Sequence, residues 1–286
     1  KDSMRDAYAI GLIRHYRNEL MSDIPYEEKS KIFNYGGEDD PDARAHIKIV
    51  QNELDELKTN IFGFEVDSGK DDIVTGKIGI DTAWSGDAIY SLNSADKENI
   101  KLYYAIPKQG TNMWFDCWAI LKSSKNSEIA YQFLNFLSEP ENAIKNMDKI
   151  HYSSSIASAE TFNYFNDLYK DKSGNGTPYD LSYFFGDGYV INAASDKLER
   201  QLKAQFPPIE YQGKLFVMKD YGANSDLILK MWQEVKHDPL PIWAIVLFAV
   251  EVAAIVFAIV FVVVLAVRNK KRRRLRRLKT VKTNNN

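Results

Sequence analysis

The sequence predicts an α/β domain over residues 1–236, followed by a linker, 237–240, a single transmembrane helix, 241–267, and a basic tail, 268–286. Three observations carry this reading. Strand-like and helix-like stretches alternate between residues 77 and 150, the pattern of an α/β fold with a largely parallel sheet. From Leu240 to Val267 the chain is almost wholly apolar; a helix of that length spans roughly 40 Å, against a hydrocarbon core of about 30 Å. Ten Lys and Arg residues, from Arg268 to Lys282, then crowd behind it, as on the cytoplasmic end of a membrane helix, in contact with anionic lipid.

The elements follow in order. Residues 2–20 predict a helix, because Met4, Tyr8, Leu12, Tyr16 and Leu20 recur on one stripe. Pro25, Gly36 and Gly37 break the next stretch. Residues 41–59 resume a helix with Ile47, Val50, Leu54 and Leu57 inward. KIGIDTAW, residues 77–84, alternates like a strand and gives way at Ser85-Gly86 to a short helix, about 86–94. KLYYAI, residues 101–106, is a second strand stopped by Pro107, and residues 113–121, rich in aromatic side chains, are a third. Residues 127–137 read as an amphipathic helix with Ile129, Phe133 and Phe136 on one side. Ser138-Glu139-Pro140-Glu141 has the spacing of a capping box, so another helix starts there. A loop enters a helix after His151, SGNGTP at 173–178 is a turn, and helices are expected over 195–204 and 224–236, the latter with Leu227, Leu229, Met231 and Val235.

Charge separates the parts of the chain. Of 37 basic residues ten lie in the tail, and of 39 acidic residues only Glu251 lies in the apolar run, so the region before it carries about −11 although the whole is −2. Such a domain repels nucleic acid and attracts polycations. Cys117 is the only cysteine, which rules out an internal disulfide. The four histidines are scattered without metal-ligand spacing. No phosphate loop, nucleophile elbow, zinc-protease motif or Cys pair is present, so no metal, cofactor or catalytic centre is predicted. The chain opens at Lys1 directly in a helical pattern, as a C-terminal fragment of a longer protein would.

Trp84-Ser85-Gly86-Asp87 falls where a strand yields to a helix, at a carboxyl end where open α/β sheets bind ligands. In a strand, Trp114, Asp116 and Trp118 share one face. An indole beside a carboxylate suits a long cation. The ring covers methylenes and contributes ~0.5–2 kcal/mol with an ammonium group; a charge-assisted hydrogen bond adds about 1.5–3 kcal/mol. Aromatic strands are also common as plain core, so the pattern alone leaves both readings open.

Three stretches carry a resemblance: DSMRDAYAIGL near the start, GKIGIDTAWSGDAIYSL, and residues 106–155 from IPKQG through WFD to HYSSS. In order and spacing they resemble the spermidine/putrescine-binding proteins of polyamine ABC transporters. The similarity covers roughly residues 2–155. It implies a bilobed periplasmic-binding-protein-like fold, here with an incomplete first lobe, and no enzymatic activity. It also implies that Trp84 and Trp114 flank a polyamine while Asp116 contacts an amine. Asp6 stands where the family more often has Glu for a terminal amine, and Ser3 where it has a second acid. Ser85, in the W-S-G element, and Tyr152, in the loop after the helix pair, complete the expected ligand contacts. The expected partners are ABC permease and ATPase subunits, with the domain outside the cell and the tail in the cytoplasm. A permease fused upstream is one arrangement the resemblance allows. The alternatives are a membrane-anchored sensor or a solute-binding protein for another small ligand. Iron is disfavoured because Tyr103 and Tyr104, as strand neighbours, point to opposite faces. Glu251 inside the apolar run marks either a helix–helix contact or an incidental protonated side chain.

Overall fold

A computed structural model describes residues 2–237, together with Trp243, 246–248, 250–251 and 255–257. Residues 1–236 form one compact unit and 237–286 a second. In the first unit the helices α1 (Met4–His15), α2 (Arg17–Met21), α3 (Tyr26–Ile32), α4 (Ala43–Lys58), α5 (Gly69–Asp72) and α6 (Ser85–Lys97) precede the first strand, β1 (Thr111–Met113). There follow α7 (Ser127–Ser138), α8 (Pro140–Ile150), α9 (Ala159–Tyr169), β2 (Thr177–Asp180), α10 (Ser182–Phe185) and β3 (Val190–Ala193). The helical segment 195–205, with α11 (Ser195–Lys197), a π-helical turn (Leu198–Leu202) and α12 (Lys203–Gln205), leads to β4 (Leu215–Val217) and α13 (Ser225–Lys236).

Two hydrophobic cores hold these elements. The first gathers Tyr8 and Leu12 of α1, Val50 and Leu54 of α4, Phe216 of β4 and Val235 of α13, all buried. Ile47, Val50 and Leu54 recur at helical spacing, so α4 turns one stripe inward and leaves its charges outside. Burying such a side chain contributes about 1.5–3 kcal/mol. Phe216 stacks on Phe33 with ring centroids 4.4 Å apart and on Tyr26 at 5.2 Å, which seats β4 against the α3 region. The second core joins Phe165 and Tyr169 of α9 to Leu181, Ile191 of β3, Leu202 and Phe206.

Asp96 of α6 bonds Lys197 at 2.7 Å, Arg200 at 2.6 Å and Gln201 at 2.9 Å. Burial works against the charge on Asp96, but these three donors outweigh it and bring its pKa down to about 2. Arg200 is buried, and its Nε also donates to the carbonyl of Leu102 at 2.6 Å. The 101–106 stretch is thereby fastened to the π-helical turn.

The helices meet expectation closely; the sheet does not. Residues 77–84 and 101–106 form no strand, and of 113–121 only Met113 belongs to one. The two ladders are a parallel pair, β1–β4, with Asn112 opposite Phe216, and an antiparallel pair, β2–β3. A strand exists only where a neighbour takes its backbone groups, and beyond Met113 neither ladder includes any residue of these three stretches. The reasoning that set Trp114, Asp116 and Trp118 on one strand face therefore does not apply. The expected capping box also fails. Ser138 Oγ donates back to the Leu134 carbonyl, and α8 starts instead from Pro140 at its first position. A capping box does open α9, between Ser158 and Thr161. Ile129, Phe133 and Phe136 share α7 as expected, yet no residue of that helix is buried.

Most of the predicted membrane helix, 241–267, and all of the basic tail, 268–286, lie outside the described residues. Those described within the run, Glu251 included, are helical and exposed. No helix among the described residues is long and apolar enough to cross a membrane.

Candidate functional site

The site is assembled at the carboxyl ends of the two parallel strands. Gly110 makes their approach feasible: its φ is +103°, and a Cβ there would lie 2.5 Å from the carbonyl oxygen of Lys214. Past β1 and β4 the chain runs into Trp114-Phe115 and Met218, and the amino end of α1 points into the same space. Ser3 caps α1 by accepting from the Asp6 amide at 3.5 Å. Asp6 thereby sits in the first helical turn, where the helix dipole favours a carboxylate.

A cleft of about 370 Å³ opens here, within the range of small-ligand sites. Asp6 is its centre. Trp84 Nε1 donates to one carboxylate oxygen at 2.8 Å, and Asn112 Nδ2 donates to the other at 2.7 Å. Each carboxylate oxygen has a second lone-pair site, so Asp6 keeps acceptor capacity for a ligand donor. Trp84 and Trp114 stand edge to face with centroids 6.1 Å apart. The indole of Trp84 is thus oriented by a hydrogen bond at one end and by a second ring beside it. Arg5, the cation at the rim, is directed elsewhere. It donates to the Met218 carbonyl at 3.1 Å, lies over the Tyr221 ring and reaches Asp220 at 3.8 Å.

Of the residues expected from sequence, Ser3, Asp6, Trp84 and Trp114 line this cleft together. Asp116, Ser85 and Tyr152 do not line it. Asp116 is exposed, two residues beyond Trp114. Ser85 is the first residue of α6. Tyr152 packs on the W-S-G-D element at Gly86. His151 ends α8 in a left-handed conformation, φ 64°, and turns the chain so that the Tyr152 ring covers Gly86. A Cβ on Gly86 would fall 2.1 Å from that ring, so the glycine makes the contact. Burial first, then the negative charges of Asp87, Asp116 and Asp6, push the Tyr152 phenol well above its usual range.

Asn112, Phe115, Val217 and Met218 were not foreseen. Trp114 and Phe115 line the same cleft although adjacent, which a strand would forbid; the chain leaves strand geometry after Met113. LFVM at 215–218 reads as a short apolar strand and was a usable signal. Its pairing with β1, a hundred residues away, was not. A flat aromatic wall, a carboxylate with spare acceptor sites and two further acids nearby can hold an elongated cation. Among the described residues no cluster of His, Cys, Asp and Glu is arranged for a metal.

The putrescine-binding periplasmic protein PotF of Escherichia coli is 30% identical over 219 residues, covering 75% of this chain and 50% of that protein. A spermidine/putrescine-binding periplasmic protein of Haemophilus influenzae is 31% identical over 123 residues, 42% of this chain and 33% of that one. A solved Listeria monocytogenes structure, described as a spermidine/putrescine ABC transporter, superposes with a TM-score of 0.54 at 22% identity, over 82% of this chain and 56% of that one. That likeness establishes the periplasmic-binding-protein-like fold. The chain spans about half the length, or less, of these curated relatives. The family model for bacterial extracellular solute-binding proteins, which bind rather than transform their ligands, matches residues 27–177, more than half of the chain. This chain belongs to that family.

Proposed function

We propose that the chain is the substrate-binding part of an ABC importer for polyamines. The observation that carries the reading is Asp6, held between Trp84 and Asn112 with Trp114 alongside. An ammonium group of spermidine or putrescine would take the remaining acceptor sites of Asp6, and the two indoles would cover the adjoining methylenes. Asp116 would serve a second amine, with Ser85 and Tyr152 completing the ligand contacts that the family resemblance implies. The relatives named for putrescine and spermidine support this choice.

The same reading divides the chain into a partial, two-lobed extracellular binding domain, 1–236, a linker, 237–240, a membrane helix, 241–267, and a cytoplasmic basic tail, 268–286. The apolar run and the ten basic residues behind it support the anchor. The tail would touch anionic lipid, and the bound polyamine would pass to permease and ATPase subunits.

Titration calorimetry of the full chain in detergent with spermidine and putrescine tests the assignment. Heat is expected with at least one of them, and Asp6→Ala should abolish it. Silence with both, or undiminished binding by Asp6→Ala, refutes it. Copurification of permease and ATPase subunits tests the transport role.

A further inference from the structure

A second cavity, of about 400 Å³, shares no residue with the cleft around Asp6. Helix α6 builds one wall of it. Tyr90, Asn93, Ser94 and Lys97 follow one another at helical spacing, so they fall on one side of that helix. His151 at the end of α8, Leu168 of α9 and Lys197 of α11 face them.

The carboxylate of this cavity is already occupied, and its donors are in excess. Asp96 is engaged by Lys197, Arg200 and Gln201. Asn93 accepts from Gln201 Nε2 through Oδ1 at 3.3 Å, which leaves both hydrogens of its own amide nitrogen for a further acceptor. Lys97 is exposed and has no ion pair among the described residues. The charges do not cancel. Asp96 alone stands against the two cations Lys197 and Arg200. Helices α6 and α8 both end near the cavity, but each carries a lysine in its last turn, Lys97 and Lys149. Those lysines offset the partial negative charge of about half a unit at a helix end. Burial lowers the His151 pKa, and Lys97 and Lys149 lower it further against the opposing pull of Asp148. The local field is thus positive, in a region of the chain that carries about −11.

We propose that this cavity binds a small multivalent oxyanion, a phosphate or a polycarboxylate, held between Lys97 and Lys197. Asn93 and a ring N–H of His151 donate to its oxygens, and Tyr90 and Leu168 wall the apolar side. The assignment does not rest on which ligand the Asp6 cleft takes.

The full chain in detergent, isotope-labelled in its histidine rings, is titrated at constant ionic strength with inorganic phosphate and, separately, with citrate. His151 is identified by the signal lost in His151→Gln. We expect a saturable shift of the His151 resonance with at least one anion, while His15 and His46 stay in place. Lys97→Glu should raise the dissociation constant by about tenfold or more. Lys125→Glu, an exposed lysine outside the cavity, should leave it unchanged. Saturation by phosphate alone assigns a phosphate group, by citrate alone a polycarboxylate, and by both an oxyanion site indifferent to the group. No saturable shift with either anion overturns the proposal. So does an equal shift of all the histidines, or undiminished affinity in Lys97→Glu.

Discussion

The hydrogen bond from Trp84 to Asp6 gives the sharpest test of how the cleft is organised. Trp84→Phe keeps a flat ring and removes the Nε1–H. Asp6→Asn keeps the shape and removes the charge to which both Trp84 and Asn112 donate, at 2.8 and 2.7 Å. A hydrogen bond to a charged group contributes about 1.5–3 kcal/mol net; these groups are only partly buried, so the low end applies. Each single variant should therefore lose about 1–2 kcal/mol of stability. The double variant should lose less than the sum, leaving a coupling of about 1–1.5 kcal/mol, because the second change removes a bond already broken. Urea unfolding of the full chain in detergent, followed by far-ultraviolet circular dichroism, measures all four corners without relying on tryptophan emission. Additivity within about 0.5 kcal/mol would show that Asp6 does not hold the indole, and the account of the cleft would fail.

Three further outcomes follow from the geometry. Gly86→Ala drives a Cβ to 2.1 Å from the Tyr152 ring; thermal unfolding should show a loss of about 1–3 kcal/mol, as overpacking does. Phe216→Ala removes a fully buried ring stacked on Phe33 and Tyr26, and urea unfolding should register about 3–5 kcal/mol. Asp96 has a folded pKa lowered from 3.8 to about 2, so its contribution is full above the unfolded value and fades as pH falls from about 5 toward 2. That contribution is on the order of 1–2 kcal/mol after allowance for partial exposure. The unfolding midpoint of Asp96→Asn should accordingly depend less on pH in that window than the unaltered chain's does.

How much was legible in the sequence depended on where each element finds its partner. In α4, Ile47, Val50 and Leu54 are buried within the chain itself, so periodicity and burial agree. The stretches 77–84, 101–106 and 114–121 have the alternation of strands but lie outside both ladders, and local pattern does not report which segment, if any, takes up the pairing. The β2–β3 pair escaped notice because it is four residues long and Pro178 interrupts its first strand. In the cleft, Asp6, Ser3, Trp84 and Trp114 came from resemblance to a family. Asn112, Val217 and Met218 came only from the parallel pairing of segments a hundred residues apart. Tyr152 was expected in the site and instead props the segment beside it, a role that depends on the absence of a side chain at Gly86.

Asp6 and Asp116 differ in what holds them. Asp6 belongs to a capped helix and is held by two donors, so its position is fixed by the chain's own fold. Asp116 is exposed and outside the cleft, two residues beyond Trp114. A diamine gains its second charge-assisted contact, about 1.5–3 kcal/mol, only if both carboxylates are set at once. On the proposed function, Asp6→Asn should therefore weaken putrescine binding by about tenfold or more, and Asp116→Asn should weaken it much less. Calorimetry with putrescine on the two variants distinguishes them: an equal loss from both would mean that Asp116 is set as firmly as Asp6, and the account of the cleft as centred on Asp6 would break.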